Sequence, residues 1–272
     1  MKKLLFYLLT FFTFTGNIFA HEFWLAPQKY SWQSGEKLWL RWQVGENFRG
    51  DNWSGSREKA LQLRAYSNIY SYDLLPYLGN AKGDSAKLDT IKVAGNFTIV
   101  YQGKNSFIQM RADSFNAYLK EDGLTNAIQW REDNHRDTSI GRELYQRSAK
   151  TLIRTKSTLR KSDFLKNSFF VIQSGLSLDI VPLDNPYNIL QPTKMQFNIY
   201  FQGRLLRDGL VRIWHKLNGS TTVKTTQVIK GVVEADIEPN GEWMISLVKT
   251  EPLKDNAIAD WHSYWGSLTW GY

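Results

Sequence analysis

The chain has no cysteine. That excludes a disulfide framework, a thiolate metal site, a thiol nucleophile and a lipid carried on a cysteine behind a leader. Methionine is scarce, with four residues scattered over 272, which leaves no thioether relay for Cu(I). Histidine is equally scarce: His21, His135, His215 and His262 are the only four. No apolar run after residue 20 approaches the roughly 20 residues that a spanning helix needs. There is no Gly-x-Ser-x-Gly elbow, no phosphate loop and no His-Glu-x-x-His pair. The expectation is a non-catalytic protein with no transmembrane segment in its mature part.

What is present is aromatic and mildly basic. Aromatics make up 14% of the residues, with 11 tryptophans, and the formal net charge is +8. Lysine and arginine are spread along the chain rather than massed, which argues against nucleic-acid binding. Attraction to an anionic envelope surface stays open.

The first 20 residues read as a secretory leader. Lys2 and Lys3 form a charged start, Leu4 to Phe14 a short apolar stretch, and Gly16 to Ala20 a small-residue exit. Cleavage after Ala20 makes His21 the first residue of an exported, periplasmic chain. A terminal histidine offers its α-amino nitrogen and its imidazole Nδ1 to one ion as a chelate, a donor set suited to copper, nickel and zinc. A plainer reading treats His21-Glu22-Phe23-Trp24-Leu25 as a terminal strand and nothing more.

Period-two alternation dominates the rest. Leu38, Leu40, Trp42 and Val44 face one way in Lys37 to Val44, and Met195, Phe197, Ile199 and Phe201 alternate in the same manner. Further strands are expected at Leu61 to Tyr66, Ile69 to Leu75, Asn96 to Gln102, Ser106 to Met110, Leu176 to Val181, Leu210 to His215, Thr222 to Ile229, Val232 to Ile237 and Glu242 to Val248. Turns are expected at Ser34-Gly35, Lys82-Gly83-Asp84 and Asn240-Gly241. Asp113 to Glu121 predicts a helix stopped by Gly123, and Ser139 to Thr155 a second one with Arg142, Glu143, Arg147 and Lys150 on a solvated face. Arg131 to Asp137, with His135, reads as an exposed polar loop. The fold expected is mainly β: a β-rich N-terminal domain with two helices at 21–185, then an immunoglobulin-like β-sandwich at 186–272.

Several stretches carry a family resemblance: His-Glu-Phe-Trp-Leu-Ala-Pro at 21–27, Arg41 to Gly50, Ser106-Phe107-Ile108, Phe115 to Leu119, Gly141 to Tyr145, Asp179 to Pro182, Asn185-Pro186-Tyr187, Tyr200 to Arg204 and Asp260 to Thr269. In order and spacing the chain resembles an uncharacterised bacterial periplasmic family described as the periplasmic component of a nickel/cobalt uptake system. The resemblance implies a periplasmic protein with an immunoglobulin-like C-terminal domain, and a membrane metal transporter as partner. In that family the strand after a Gly-x-Trp turn often holds a histidine. Here Lys249 falls at that place, and a protonated lysine ligates no metal.

The metal candidates are His21, His262 and Asp260. Asp260-Trp261-His262 is similar to the Asp-x-His of small periplasmic copper(II) carriers, and would complete a tetragonal N/O site for Cu(II) or Ni(II) begun by His21. Glu22 would orient His21 from behind. His215 shares a face with Val211 and Ile213, and reads as a partly buried, hydrogen-bonded residue. Two alternatives stay open: an oxidase built on a terminal copper-binding histidine, and an envelope scaffold that binds a glycan or protein through its aromatics.

Overall fold

The structure, a computed structural model, describes residues 22–33, 36, 38–53, 57–67, 71–78, 86–88, 96–156 and 172–272. His21 and the leader lie outside these residues, as do the turns expected at 34–35 and 82–84. The fold is mainly β, with two helices and several sheets that pack as sandwiches.

The N-terminal strands are β1 (Glu22–Pro27), β2 (Ser31–Gln33), β3 (Leu38–Glu46), β4 (Arg49–Asn52), β5 (Ala60–Tyr66), β6 (Ser71–Asp73), β7 (Ala86–Leu88), β8 (Phe97–Gly103) and β9 (Ser106–Met110). Alternation in β3 works as expected: Leu38, Leu40 and Trp42 are buried while Trp39 and Arg41 are exposed. The helices follow, α1 (Ala112–Glu121) and α2 (Thr125–Asp133), and then β10 (Gly141–Lys156). After them come β11 (Leu178–Pro182), β12 (Thr193–Phe201), β13 (Arg204–Leu205), β14 (Leu210–Leu217), β15 (Ser220–Gln227), β16 (Val232–Ile237), β17 (Glu242–Pro252) and β18 (Trp261–Gly271).

One long sheet organises the molecule, in the order β15-β14-β17-β18-β10-β8-β5-β6. Strands β10 and β18 pair in parallel from Glu143↔Trp261 to Thr151↔Thr269, so residues from either side of position 185 share one ladder. Because side chains alternate along a strand, this sheet has two buried faces. On one, Ala149 and Ile153 of β10 pack with Leu63, Phe97, Ile99 and Tyr101 against Phe23, Leu25, Leu40 and Trp42 of the small β1-β3-β4 sheet. On the other, Leu152, Ile213, Ile245, Leu268 and Trp270 pack against Ile180, Met195, Phe197 and Val233 of the β11-β12-β13 sheet and its partner β16. The result is three β layers, with β10 and β18 in the middle one.

The helix expected over 139–155 is instead β10. Its apolar residues matched a 3.6 period only loosely, and a strand buried on both faces carries no clean amphipathic period of either kind. Of the charged residues assigned to its solvated face, Glu143 and Lys150 are buried, and Arg142 and Arg147 are partly exposed and held by partners. Arg142 bonds Asp260, Glu143 is 2% exposed, Arg147 lies over the rings of Phe23 and Trp53, and Lys150 is 1% exposed. Part of the loop expected at 131–137 is the end of α2, where Arg131 is buried and bonds Asn116 Oδ1 at 2.9 Å and the Ser139 carbonyl at 2.6 Å. That side chain ties α1, α2 and the approach to β10 together.

Helix α1 lies where the spacing placed it, with Phe115, Tyr118 and Leu119 buried. Gly123 ends it at φ +65°, where a side chain would also meet Leu210 Cβ at 2.8 Å. At Gly141 the constraint is contact alone: a Cβ there would lie 2.2 Å from Phe115 Cγ, in a core where Phe115 is fully buried. Gly141→Ala is therefore expected to lower stability by about 2 kcal/mol or more through overpacking. Urea unfolding followed by circular dichroism checks it, and a loss below about 0.5 kcal/mol contradicts the packing described.

Candidate functional site

The first described residue, Glu22, opens β1 opposite Gly45 of β3 and is 4% exposed. Further along β1, the Thr269 hydroxyl of β18 donates to the Leu25 carbonyl at 2.8 Å, which pins β1 onto the middle layer. Beside Glu22 stands Arg212 of β14, with Nη1 3.4 Å from Glu22 Oε1. The same nitrogen donates to Asp122 Oδ1, and Nη2 donates to the Glu121 carbonyl at 2.8 Å. Arg212 thus closes the negative end of α1 and bridges two carboxylates brought from distant parts of the chain. Trp214, two residues on and so on the same face, donates its indole N–H to Ser246 Oγ at 2.9 Å.

A second polar group continues beneath the helices. The Tyr118 hydroxyl donates to Ser263 Oγ at 3.2 Å and lies 3.5 Å from Glu143 Oε1. Ser263 also meets Thr250 Oγ1 in a short contact. Glu22, Asp122, Glu143, Tyr118 and Ser263 are all buried, and Asp122 Oδ2 and Glu143 Oε2 have no hydrogen-bond partner. Of these three carboxyls, Glu22 and Asp122 share the Arg212 guanidinium. Burial dominates their acidity. It raises Glu22 to about 7, with Asp122 adding to the rise and Arg212 opposing it. It raises Asp122 to about 6 against Arg212, and Glu143 to about 8. The chemistry available is that of carboxyls able to hold or release protons near neutral pH, in an environment where burial disfavours their charged form.

The metal candidates lie elsewhere or outside the described residues. Asp260 directs its carboxylate to Arg142 in two bonds, at 2.7 and 3.0 Å, and this partner holds it below the usual carboxylate range. His262 is half-buried on β18, and its Nδ1 lies 2.8 Å from the Tyr264 hydroxyl. Its Nε2 has no partner, and burial pushes its pKa down, towards the neutral, ligating form. In the β17–β18 ladder His262 stands opposite Glu251, and Tyr264 opposite Lys249, so these four share a face. Ser263 and Ser267 face the other way, with the Glu22–Arg212 group. Glu22, the neighbour of His21, is thus across the sheet from His262. His135 is exposed beside the end of α2, and His215 stacks on Trp243 at 4.0 Å with Nε2 3.3 Å from the Asn240 carbonyl, partly buried as expected. Among the described residues no group of three histidine, aspartate or glutamate side chains is placed to hold a metal ion.

The model of the family described as Domain of unknown function (DUF4198) matches residues 18–251. The chain belongs to this family. The DUF4198 match spans His21, Glu22, Asp122, Glu143 and Arg212, and stops short of Asp260 and His262. A search of curated proteins finds no match. No helix among the described residues is long and apolar enough to cross a membrane.

Sequence reasoning did not find the Glu22–Arg212–Asp122 group of this DUF4198 chain. A signal for it exists in Leu210 to Trp214, where Arg212 shares its strand face with a tryptophan. A charge beside a large aromatic on one face is a sign that the face is covered. Nothing in the local pattern points to Asp122, whose partner Arg212 lies 90 residues further along the chain, or to Glu143, which meets Tyr118 from 25 residues before it.

Proposed function

We propose that this chain is an exported, non-catalytic binding protein for Cu(II), Ni(II) or Co(II), which captures the ion in the periplasm and buffers it or passes it to a membrane transporter. The observation that carries the reading is the fixed start of β1. From Glu22 onward the strand is paired and buried, with Glu22, Phe23 and Trp24 each less than 5% exposed. A fixed strand directly after a histidine lowers the entropy cost of closing a chelate on it. The three other histidines support the choice of His21 from the other side, since His215 stacks on Trp243, His262 faces Tyr264 and His135 stands apart on an exposed turn.

In this reading His21 supplies amine and imidazole, and Glu22, turned inward to Arg212, fixes the backbone beneath it. Asp260 and His262 complete the ion's shell only if Asp260 leaves Arg142 and the ion reaches across the sheet edge. The test is calorimetric titration of the chain beginning at His21 with each of the three ions. One equivalent is expected to bind, with affinity reduced at least about 100-fold in His21→Ala. Unchanged binding in His21→Ala rejects the proposal. His262→Ala and Asp260→Asn decide the shell: both leave a terminal chelate intact, and both weaken a shared site at least about tenfold.

A further inference from the structure

Where α2 approaches β10 and β18, the molecule has a cleft of about 300 Å³, the lower end of the range for small-molecule sites. One wall is aromatic. Trp130 of α2 and Trp261 of β18 meet edge to face, with ring centres 5.1 Å apart and planes at 86°. Trp130 is 38% exposed, and Ile140 beside it 49%. Trp261 is buried, yet its indole N–H has no hydrogen-bond partner.

The other wall is charged. Arg131 is already bonded to Asn116 and to the Ser139 carbonyl, and Arg142 to Asp260 and the Ala257 carbonyl. Arg136 is different. It is exposed and lines the cleft, and its side chain makes no hydrogen bond or ion pair with the described residues. Its charge nonetheless reaches the cleft, where it helps to depress Asp260. The cleft thus offers an apolar aromatic wall, an unpaired guanidinium and a carboxylate–guanidinium pair at its edge.

We propose that this cleft binds an acidic sugar ring, a hexuronate unit. The ring's C–H face packs on Trp130, and its carboxylate takes the planar fork of Arg136, the geometry in which arginine binds carboxylates best. Ring hydroxyls donate to Asp260 and accept from Arg142. A simple inorganic anion leaves the tryptophan face unused, and a flat aromatic acid brings no hydroxyls to the Arg142–Asp260 pair. The inference is independent of the His21 chelate and shares only Asp260 with it.

The test is saturation-transfer NMR and calorimetry on the mature chain in metal-free buffer, with sodium galacturonate and glucuronate, and with galactose, glucose and acetate as comparisons. Saturable binding is expected for the hexuronates, with each neutral hexose and acetate at least about tenfold weaker. Arg136→Gln and Trp130→Ala alter exposed side chains, so folding is expected to persist and is checked by circular dichroism. Each is expected to weaken hexuronate binding at least about tenfold. No saturable binding of either hexuronate, equal binding of the neutral hexoses or of acetate, or full binding in both variants overturns the proposal.

Discussion

Asp179→Ala is expected to cost about 3–5 kcal/mol of stability, the largest effect of any single substitution considered for this chain. Asp179 of β11 and Lys150 of β10 form an ion pair with side chains 0% and 1% exposed, between the middle layer and the outer β11-β12 sheet. Each ion has further partners. Lys150 Nζ donates to the carbonyls of Ile172 at 3.0 Å and Ile180 at 3.2 Å, and Asp179 Oδ2 accepts from Ser174 N at 2.6 Å and Ser174 Oγ at 2.9 Å. Burial pushes the Lys150 pKa down, and Asp179 is the charge that opposes it. Without Asp179 the ammonium is buried beside neutral carbonyls alone, and the Ser174 N–H loses its acceptor. Removing both ions at once, as Lys150→Met with Asp179→Leu, is expected to recover at least half of the loss, because no uncompensated charge remains. Urea unfolding of the three forms measures both quantities. A single-variant loss below about 1 kcal/mol contradicts the assignment of this pair as a tie between layers.

The second large effect is on pH. Glu22, Asp122 and Glu143 have folded-state values of about 7, 6 and 8, all above those of exposed carboxyls. The folded chain therefore binds more protons than the unfolded chain between about pH 4.5 and 8. Their contribution to stability is fully present below the unfolded values, and is lost as pH rises through 6 to 8. The midpoint of thermal unfolding of the metal-free chain is expected to fall by at least about 5 °C from pH 5.5 to pH 8.5. Glu143→Gln replaces the most elevated carboxyl with a neutral amide of the same shape. It is expected to reduce that fall and to raise stability at pH 8.5. A midpoint that is flat or rising over this interval contradicts the burial of these groups as carboxyls with raised pKa values.

Much of the β pattern was open to reading because it is local. The alternation of Leu38, Leu40 and Trp42, and of Met195, Phe197 and Ile199, records which face is covered, whatever covers it. Helix α1 and its Gly123 stop were legible for the same reason. Strand β10 was not. A strand in the middle of three layers buries polar and charged residues on both faces, and its Glu143, Arg147 and Lys150 owe their partners to chain segments far away in sequence. Helix α2 was obscured by a polar composition, since only Ala127 and Arg131 are buried in it. The tryptophans were ambiguous from sequence and are not so in the fold: Trp24, Trp32, Trp42, Trp261 and Trp270 are core, while Trp130 and Trp39 reach the surface.

The candidate site divides in the same way. The role proposed for His21 rests on its place behind a small-residue exit, a feature of the sequence alone. A pairing such as Asp260 with Arg142, 118 residues apart, is not, and it occupies the carboxylate that the Asp-x-His spacing offered to a metal.

The most direct test of the metal-binding account is the electron paramagnetic resonance spectrum of one equivalent of Cu(II) on two forms of the chain, one beginning at His21 and the other carrying a single additional glycine before it. The account predicts a tetragonal, nitrogen-rich Cu(II) signal in the first form and its loss in the second, because the extra residue moves the free amine away from the imidazole. The same spectrum from both forms, or no bound copper in either, would contradict it.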